Sequence, residues 1–114
     1  MYFIILNIKA LSLNTAYPTG RNGRRVLSAA GKIYKETIGW AAKENNPNML
    51  PGDLKIEYEF GFTDNRVRDV DNLIKLTQDA LTGIWFEKDS QIIELTARKV
   101  RADRDYVKIL LEKV

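Results

Sequence analysis

The sequence predicts an α+β domain in the order β-α-β-α-β-β, with a largely antiparallel or mixed sheet and two helices packed on it. Three observations carry this expectation. Residues 54–62 alternate apolar and polar without error, two segments repeat their apolar residues at spacings of three and four, and 114 residues leave room for one hydrophobic core. The whole of 1–114 is therefore expected to form a single domain, and 45% hydrophobic with 29% charged residues suits a packed core under a solvated surface.

The elements follow in order. Phe3 to Ile8 is a short run of strand-forming residues ending at Lys9, and it reads as a buried strand. From Ser12 to Leu27 the periodicity disappears among Asn14, Pro18, Gly20, Asn22 and Gly23, which predicts a long basic loop over 12–27. Ser28 is a natural N-cap for a helix carrying Ile33, Tyr34, Thr37, Ile38 and Ala41, closed by Asn45-Asn46-Pro47. Leu54, Ile56, Tyr58, Phe60 and Phe62 then form the apolar side of a strand whose other side is wet. A second helix is expected from about Asn72 to Thr82, with Gly83 ending it. Ile92–Arg101 and Tyr106–Leu111 read as two strands joined into a hairpin by Ala102-Asp103-Arg104-Asp105.

Composition removes whole classes of chemistry. There is no cysteine and no histidine, which excludes disulfides, Cys or His zinc sites, cysteine nucleophiles and a Ser-His-Asp triad. Any catalysis must use carboxylates, lysine, hydroxyls and hard, oxygen-loving cations such as Mg²⁺. No apolar run is long enough to span a bilayer and the first residues lack the features of a signal peptide, so a cytoplasmic protein without a membrane role is expected. No acid precedes Glu36, whereas Lys9, Arg21, Arg24, Arg25, Lys32 and Lys35 all do; this basic third suits a polyanion, or else is a solvated loop.

The acids are concentrated later. Asp69 and Asp71 stand two apart in a stretch read as extended, where alternate side chains share a face; on a helix they would diverge by about 200°. Two carboxylates on one face favour a divalent cation, although Asp71 has a second reading as the N-cap of the following helix. Lys75 and Asp79 continue from Asp71 at intervals of four, either as a surface ion ladder or as part of a site. Asp89 lies in the next connection, and a return of the chain could bring it to the Asp69-Asp71 end. Such a set suits Mg²⁺-assisted phosphodiester chemistry, with the lysine supplying positive charge to a phosphate or to the transition state.

The run Asp69-x-Asp71-Asn72-x-x-Lys75-x-x-x-Asp79-Ala80-Leu81-x-Gly83, followed by Asp89-x-Gln91, resembles the RusA family of Holliday junction resolvases, small endonucleases often found in phages and prophages. Upstream, Asn14, Tyr17, Gly23-Arg24-x-x-x-Ser28 and Tyr34 are similar to that family's amino-terminal pattern. The resemblance implies a symmetric homodimer that binds four-way DNA junctions and makes paired nicks with Mg²⁺, or Mn²⁺ in its place, and needs no small-molecule cofactor. It implies Asp69, Asp71 and Asp89 as metal-binding acids, Lys75 as the catalytic lysine and Asp79 as an auxiliary. Asn14, Tyr17, Arg21, Arg24, Arg25, Arg66 and Arg68 are the residues expected to meet DNA. Lys88 departs from the family, many of whose members have an acid there, and the basic residues near the acid pair are reduced to Arg66 and Arg68. The first helix, Tyr58 and Trp85 are candidate interface elements, with Trp85 read more readily as core, and Trp40 is ambiguous. Against a junction-resolving nuclease stand two further readings: a non-catalytic module for branched or single-stranded DNA, and an interaction protein whose charges are only solvated.

Overall fold

In the computed structural model, residues 1–17 and 26–114 are described. They form β1 (Tyr2–Leu6), α1 (Leu13–Ala16), α2 (Ala29–Asn45), β2 (Leu54–Phe62), α3 (Asp71–Leu81), a 3₁₀ turn (Asp89–Gln91), β3 (Ile92–Arg101) and β4 (Tyr106–Lys113). The sheet is mixed, in the order β1-β4-β2-β3, with β4 antiparallel to both its neighbours and β2 parallel to β3. The expected α+β class, its element order and its mixed sheet are all present.

Two expectations about connections change. The 12–27 segment is not loop from its start: Ser12 accepts a hydrogen bond from the Thr15 N–H and caps the short helix α1. The three arginines expected there, Arg21, Arg24 and Arg25, lie outside the described residues. Nor do the last two strands pair as a hairpin, because β2 lies between them. The turn 102–105 instead crosses the end of β2, a span of roughly 10 Å over two strand spacings. It is fastened there by the Ala102 N–H donating to the Phe62 carbonyl at 2.9 Å and the Thr63 N–H donating to Asp105 Oδ1 at 3.0 Å.

The alternation of β2 explains its central place. Leu54, Ile56, Tyr58, Phe60 and Phe62 face the helices, where Val107, Ile109 and Leu111 of β4 join them in a buried layer. On the open face Gly61 lets the Tyr106 ring lie flat against the strand, since a Cβ at that position would run into the ring. Helix α2 buries Gly31, Tyr34, Ile38, Gly39 and Ala42, so the expected stripe is rotated and Ile33 is exposed. Tyr34 and Thr77 share a buried hydrogen bond of 2.8 Å that ties α2 to α3, and Trp85 Nε1 donates to the Ala42 carbonyl at 2.8 Å. Trp85 and Tyr58 are fully buried and cannot serve as interface aromatics, whereas Trp40 is 77% exposed.

Gly83 ends α3 with φ of +86°, a left-handed conformation that a glycine adopts without strain. The chain then returns along Trp85 and Phe86 to the start of β3. No helix among the described residues is long and apolar enough to cross a membrane.

Candidate active site

Helix α3 carries the motif, and its two ends differ. At the amino-terminal end, Val70 has helical dihedrals (φ −61°, ψ −35°) and the Asn72 N–H already bonds back to the Asp69 carbonyl at 3.1 Å. The extended reading of 69–71 therefore fails: the strand alternation is gone by Val70, and Asp69 and Asp71 are not held on one face by it. The capping reading of Asp71 fails too, because Val70 is the cap residue and no side chain caps this helix. Asp71 is the first helical residue, where its charge suits the helix dipole. Both carboxylates are exposed, and neither has an ion pair or side-chain hydrogen bond among the described residues.

One to two turns on, the groups are engaged. Lys75 Nζ lies 2.9 Å from Asp79 Oδ1 and 3.7 Å from Asp89 Oδ2. The hydrogen bond to Asp79 and the two nearby carboxylates raise the lysine pKa above its ordinary value. Lys75 is therefore a cation at neutral pH in this arrangement. Thr82 Oγ1 donates to Asp89 Oδ1 at 2.8 Å, which fixes the other side of that carboxylate. Asp89 thus joins the Lys75–Asp79–Thr82 group on the carboxy-terminal half of α3, rather than the Asp69-Asp71 end.

Gln91 positions the turn that bears Asp89. Its Oε1 accepts from the N–H groups of Glu87 and Lys88, and its Nε2 donates to the carbonyls of Leu50 and Gly52, all between 2.9 and 3.0 Å. Gln78, beside Asp79, accepts a 2.8 Å hydrogen bond from Tyr58, which pins α3 to the sheet. Burial and the neighbouring acids keep that phenol neutral. Thr82 and Gln78 were invisible as site residues in the sequence, because a hydroxyl and an amide at helical spacing carry no signature. Lys88 is exposed.

A basic ledge borders the amino-terminal end. Arg68 makes a two-pronged pair with Asp64 at 2.6 and 3.0 Å and lies over the Phe62 ring, its guanidinium carbon 4.0 Å from the ring centre. Arg68 and Lys9, 2.8 Å away, hold the Asp64 carboxyl far below the ordinary range. Arg68 is consequently a structural anchor of the 64–68 segment, while Arg66 remains exposed. Lys99 Nζ donates to the Arg68 carbonyl at 2.7 Å, and Arg101 lines the same shallow concavity. Those two residues, contributed by β3, were not legible as neighbours of the acids. Asn14 is exposed on α1 and Tyr17 half-buried at its end.

The donor types suit a hard cation, since only oxygen ligands are available. Their arrangement in one chain does not: among the described residues no three acids stand close enough to hold one ion. An exposed acid pair, a cationic lysine held by carboxylates and a basic ledge, on a scaffold without histidine or cysteine, define a protein equipped to handle phosphodiesters.

Comparison with known proteins narrows the class. The family model described as Endodeoxyribonuclease RusA matches residues 11–112. The crossover junction endodeoxyribonuclease of Enterobacteria phage 82 is 33% identical over 90 residues, covering 76% of this chain and 74% of the relative. The proteins of the same name from Escherichia coli strain K12 and Shigella sonnei strain Ss046 match with the same identity and coverage. The chain belongs to the RusA family of endodeoxyribonucleases.

Proposed function

We propose that this protein is a resolvase of four-way DNA junctions: a homodimer that introduces paired symmetric nicks, dependent on Mg²⁺ with Mn²⁺ as a substitute, in recombination and repair of DNA in the cytoplasm. The observation that carries the reading is Lys75, a cation held between Asp79 and Asp89 on the same helix that begins at Asp71. Nicking of a phosphodiester develops negative charge on the phosphoryl oxygens, and an ammonium kept protonated and aimed by two carboxylates answers that charge. Thr82 and Gln91 keep Asp89 within reach of the ammonium, so the lysine can exchange a carboxylate for a phosphate oxygen without losing its orientation.

Asp69, Asp71 and Asp89 are the proposed metal ligands, and a bound Mg²⁺ would polarise a phosphoryl oxygen and lower the pKa of its water. Their separation in the single chain means that a shared ion requires them to come together. Arg66, Lys99 and Arg101 offer the adjacent ledge for the backbone, with Asn14, Tyr17, Arg21, Arg24 and Arg25 as further contacts. Replacing Arg24 and Arg25 together with Ala is expected to weaken binding to junctions of every sequence and to shallow the salt dependence by up to ~0.9 log unit per lost phosphate contact. No small-molecule cofactor is required by this reading.

The test is a synthetic four-way junction incubated with and without Mg²⁺. Paired, ligatable nicks leaving 5′-phosphate and 3′-hydroxyl ends, seen only with metal, are the expected result. Metal-independent binding without nicks would replace it with a non-catalytic branched-DNA module.

A further inference from the structure

Strand β3 is ten residues long and, among the described residues, has a hydrogen-bonded neighbour, β2, on one side only. An open edge of that length presents a row of unpaired backbone groups, a template that natural sheets normally shorten, cover or break. Among the described residues nothing pairs with it, and Ile93 is 57% and Leu95 41% exposed.

The register with β2 assigns the faces. Leu95, Ala97, Lys99 and Arg101 stand beside Ile56, Tyr58, Phe60 and Phe62 on the helix side, while Glu94, Thr96, Arg98 and Val100 stand on the open side. If a second β3 approaches antiparallel about a two-fold axis normal to the sheet, opposed residues must share a face. Centring the axis on Thr96 then opposes Glu94 to Arg98 of the second copy, Leu95 to its Ala97 and Thr96 to its Thr96, each asymmetric pair occurring twice. Both ion pairs, both apolar contacts and a threonine pair are satisfied together. A shift of two residues either way loses both ion pairs, setting Glu94 against Val100 or against Thr96; a shift of one is forbidden by the faces. Arg98 has the donors for this, since it uses Nε toward Glu59 and its two terminal nitrogens remain.

We propose that two copies of this chain join antiparallel along β3, with Thr96 on the two-fold axis, to make one continuous eight-stranded sheet. The inference rests on the homodimer reading above and specifies its surface.

Sedimentation of the full chain and cysteine cross-linking test it. Glu94→Arg and Arg98→Glu, each alone, oppose like charges twice and should weaken dimerisation at least about fivefold. An equimolar mixture of the two variants restores both ion pairs and should dimerise again, which also shows that each is folded. Because the chain has no cysteine, Thr96→Cys provides a single thiol. Opposed Cα atoms about 4.5–5.5 Å apart lie within disulfide reach, so oxidation should give a covalent dimer, whereas the exposed control Thr63→Cys should not. A dimer that neither charge variant weakens and that Thr96→Cys does not cross-link overturns this interface but leaves a dimeric resolvase standing; loss of dimer on Trp40→Ala instead would move the contact to α2. A monomer at all concentrations and on the junction overturns both the interface and the homodimer, while metal-dependent nicking decides the nuclease reading separately.

Discussion

The two ends of α3 carry the same residue type in opposite conditions. At the start, Asp69 and Asp71 are exposed and have no side-chain partner among the described residues. Toward the far end, Asp79 and Asp89 are held by Lys75 and Thr82. An unpaired acid gains most from an arriving cation, whereas a paired acid has already spent its field on a lysine. Under the proposed function, the first end would meet the metal first and Lys75 would handle phosphate at the second, with Asp89 completing the metal's ligands.

The largest effect should come from Asp71→Asn. A nearly isosteric amide removes a charge from the unpaired end, so cleavage should fall about 10²-fold or more while junction binding is retained or tightened. Titration of Mn²⁺ into the variant should show weakened metal binding; cleavage within a few-fold of wild type would erase the proposed division. Lys75→Ala should follow, lowering turnover by roughly ten- to a hundredfold with a smaller change in junction affinity, because its charge acts as the transition state develops. Rescue of the whole defect by excess DNA would reduce Lys75 to a docking charge. Thr82→Val, which keeps the shape and removes the donor to Asp89, should cost only a few-fold in turnover and leave Mn²⁺ binding nearly unchanged, sharpening the contrast between the ends.

A paired carboxylate remote from α3 serves as a control. Glu59 accepts from Tyr106 at 2.6 Å and Arg98 at 2.5 Å and lies 3.2 Å from Lys108, which lowers its pKa from 4.5 to about 2, with the Tyr106 hydrogen bond as the largest cause. A depressed carboxylate pKa contributes stability that is complete above the unfolded value and is lost as pH falls toward 2. Denaturant midpoints measured between pH 5 and pH 2 should therefore fall more steeply in wild type than in Glu59→Gln; equal slopes would remove Glu59 as a source of acid sensitivity.

The parts of this picture that sequence could supply were those written in local periodicity. β2 was legible to its ends because alternation encodes one buried face, and Ser28 and Gly83 marked helix ends through their own chemistry. What was not legible was lateral. Nothing between Arg101 and Tyr106 tells that β2 separates β3 from β4, since a four-residue turn serves a hairpin and a crossing over one strand equally well. The acids show the same limit. Their spacing was plain, but one helical residue, Val70, decided that Asp69 and Asp71 do not alternate, and the return of the chain delivered Asp89 to Lys75 instead. Thr82, Gln78, Lys99 and Arg101 became part of the site only through contacts between elements. The family motif marked α3 and the turn after it, but not how its residues are distributed in a single chain.

The sheet order also governs when the protein can assemble. Among the described residues, β1, the earliest made of the four strands, has β4 as its only sheet neighbour, and β4 is the latest. On the ribosome β1 must wait, unpaired, until residues 106–113 have emerged, and pairing so distant in sequence is slow to form. A nascent chain that stops short of β4 has two separate pieces of sheet, β1 alone and β2 with β3, and no strand to join them. Folding of this nuclease is thus timed by β4, so its four-stranded scaffold is not assembled until residues 106–113 have been made.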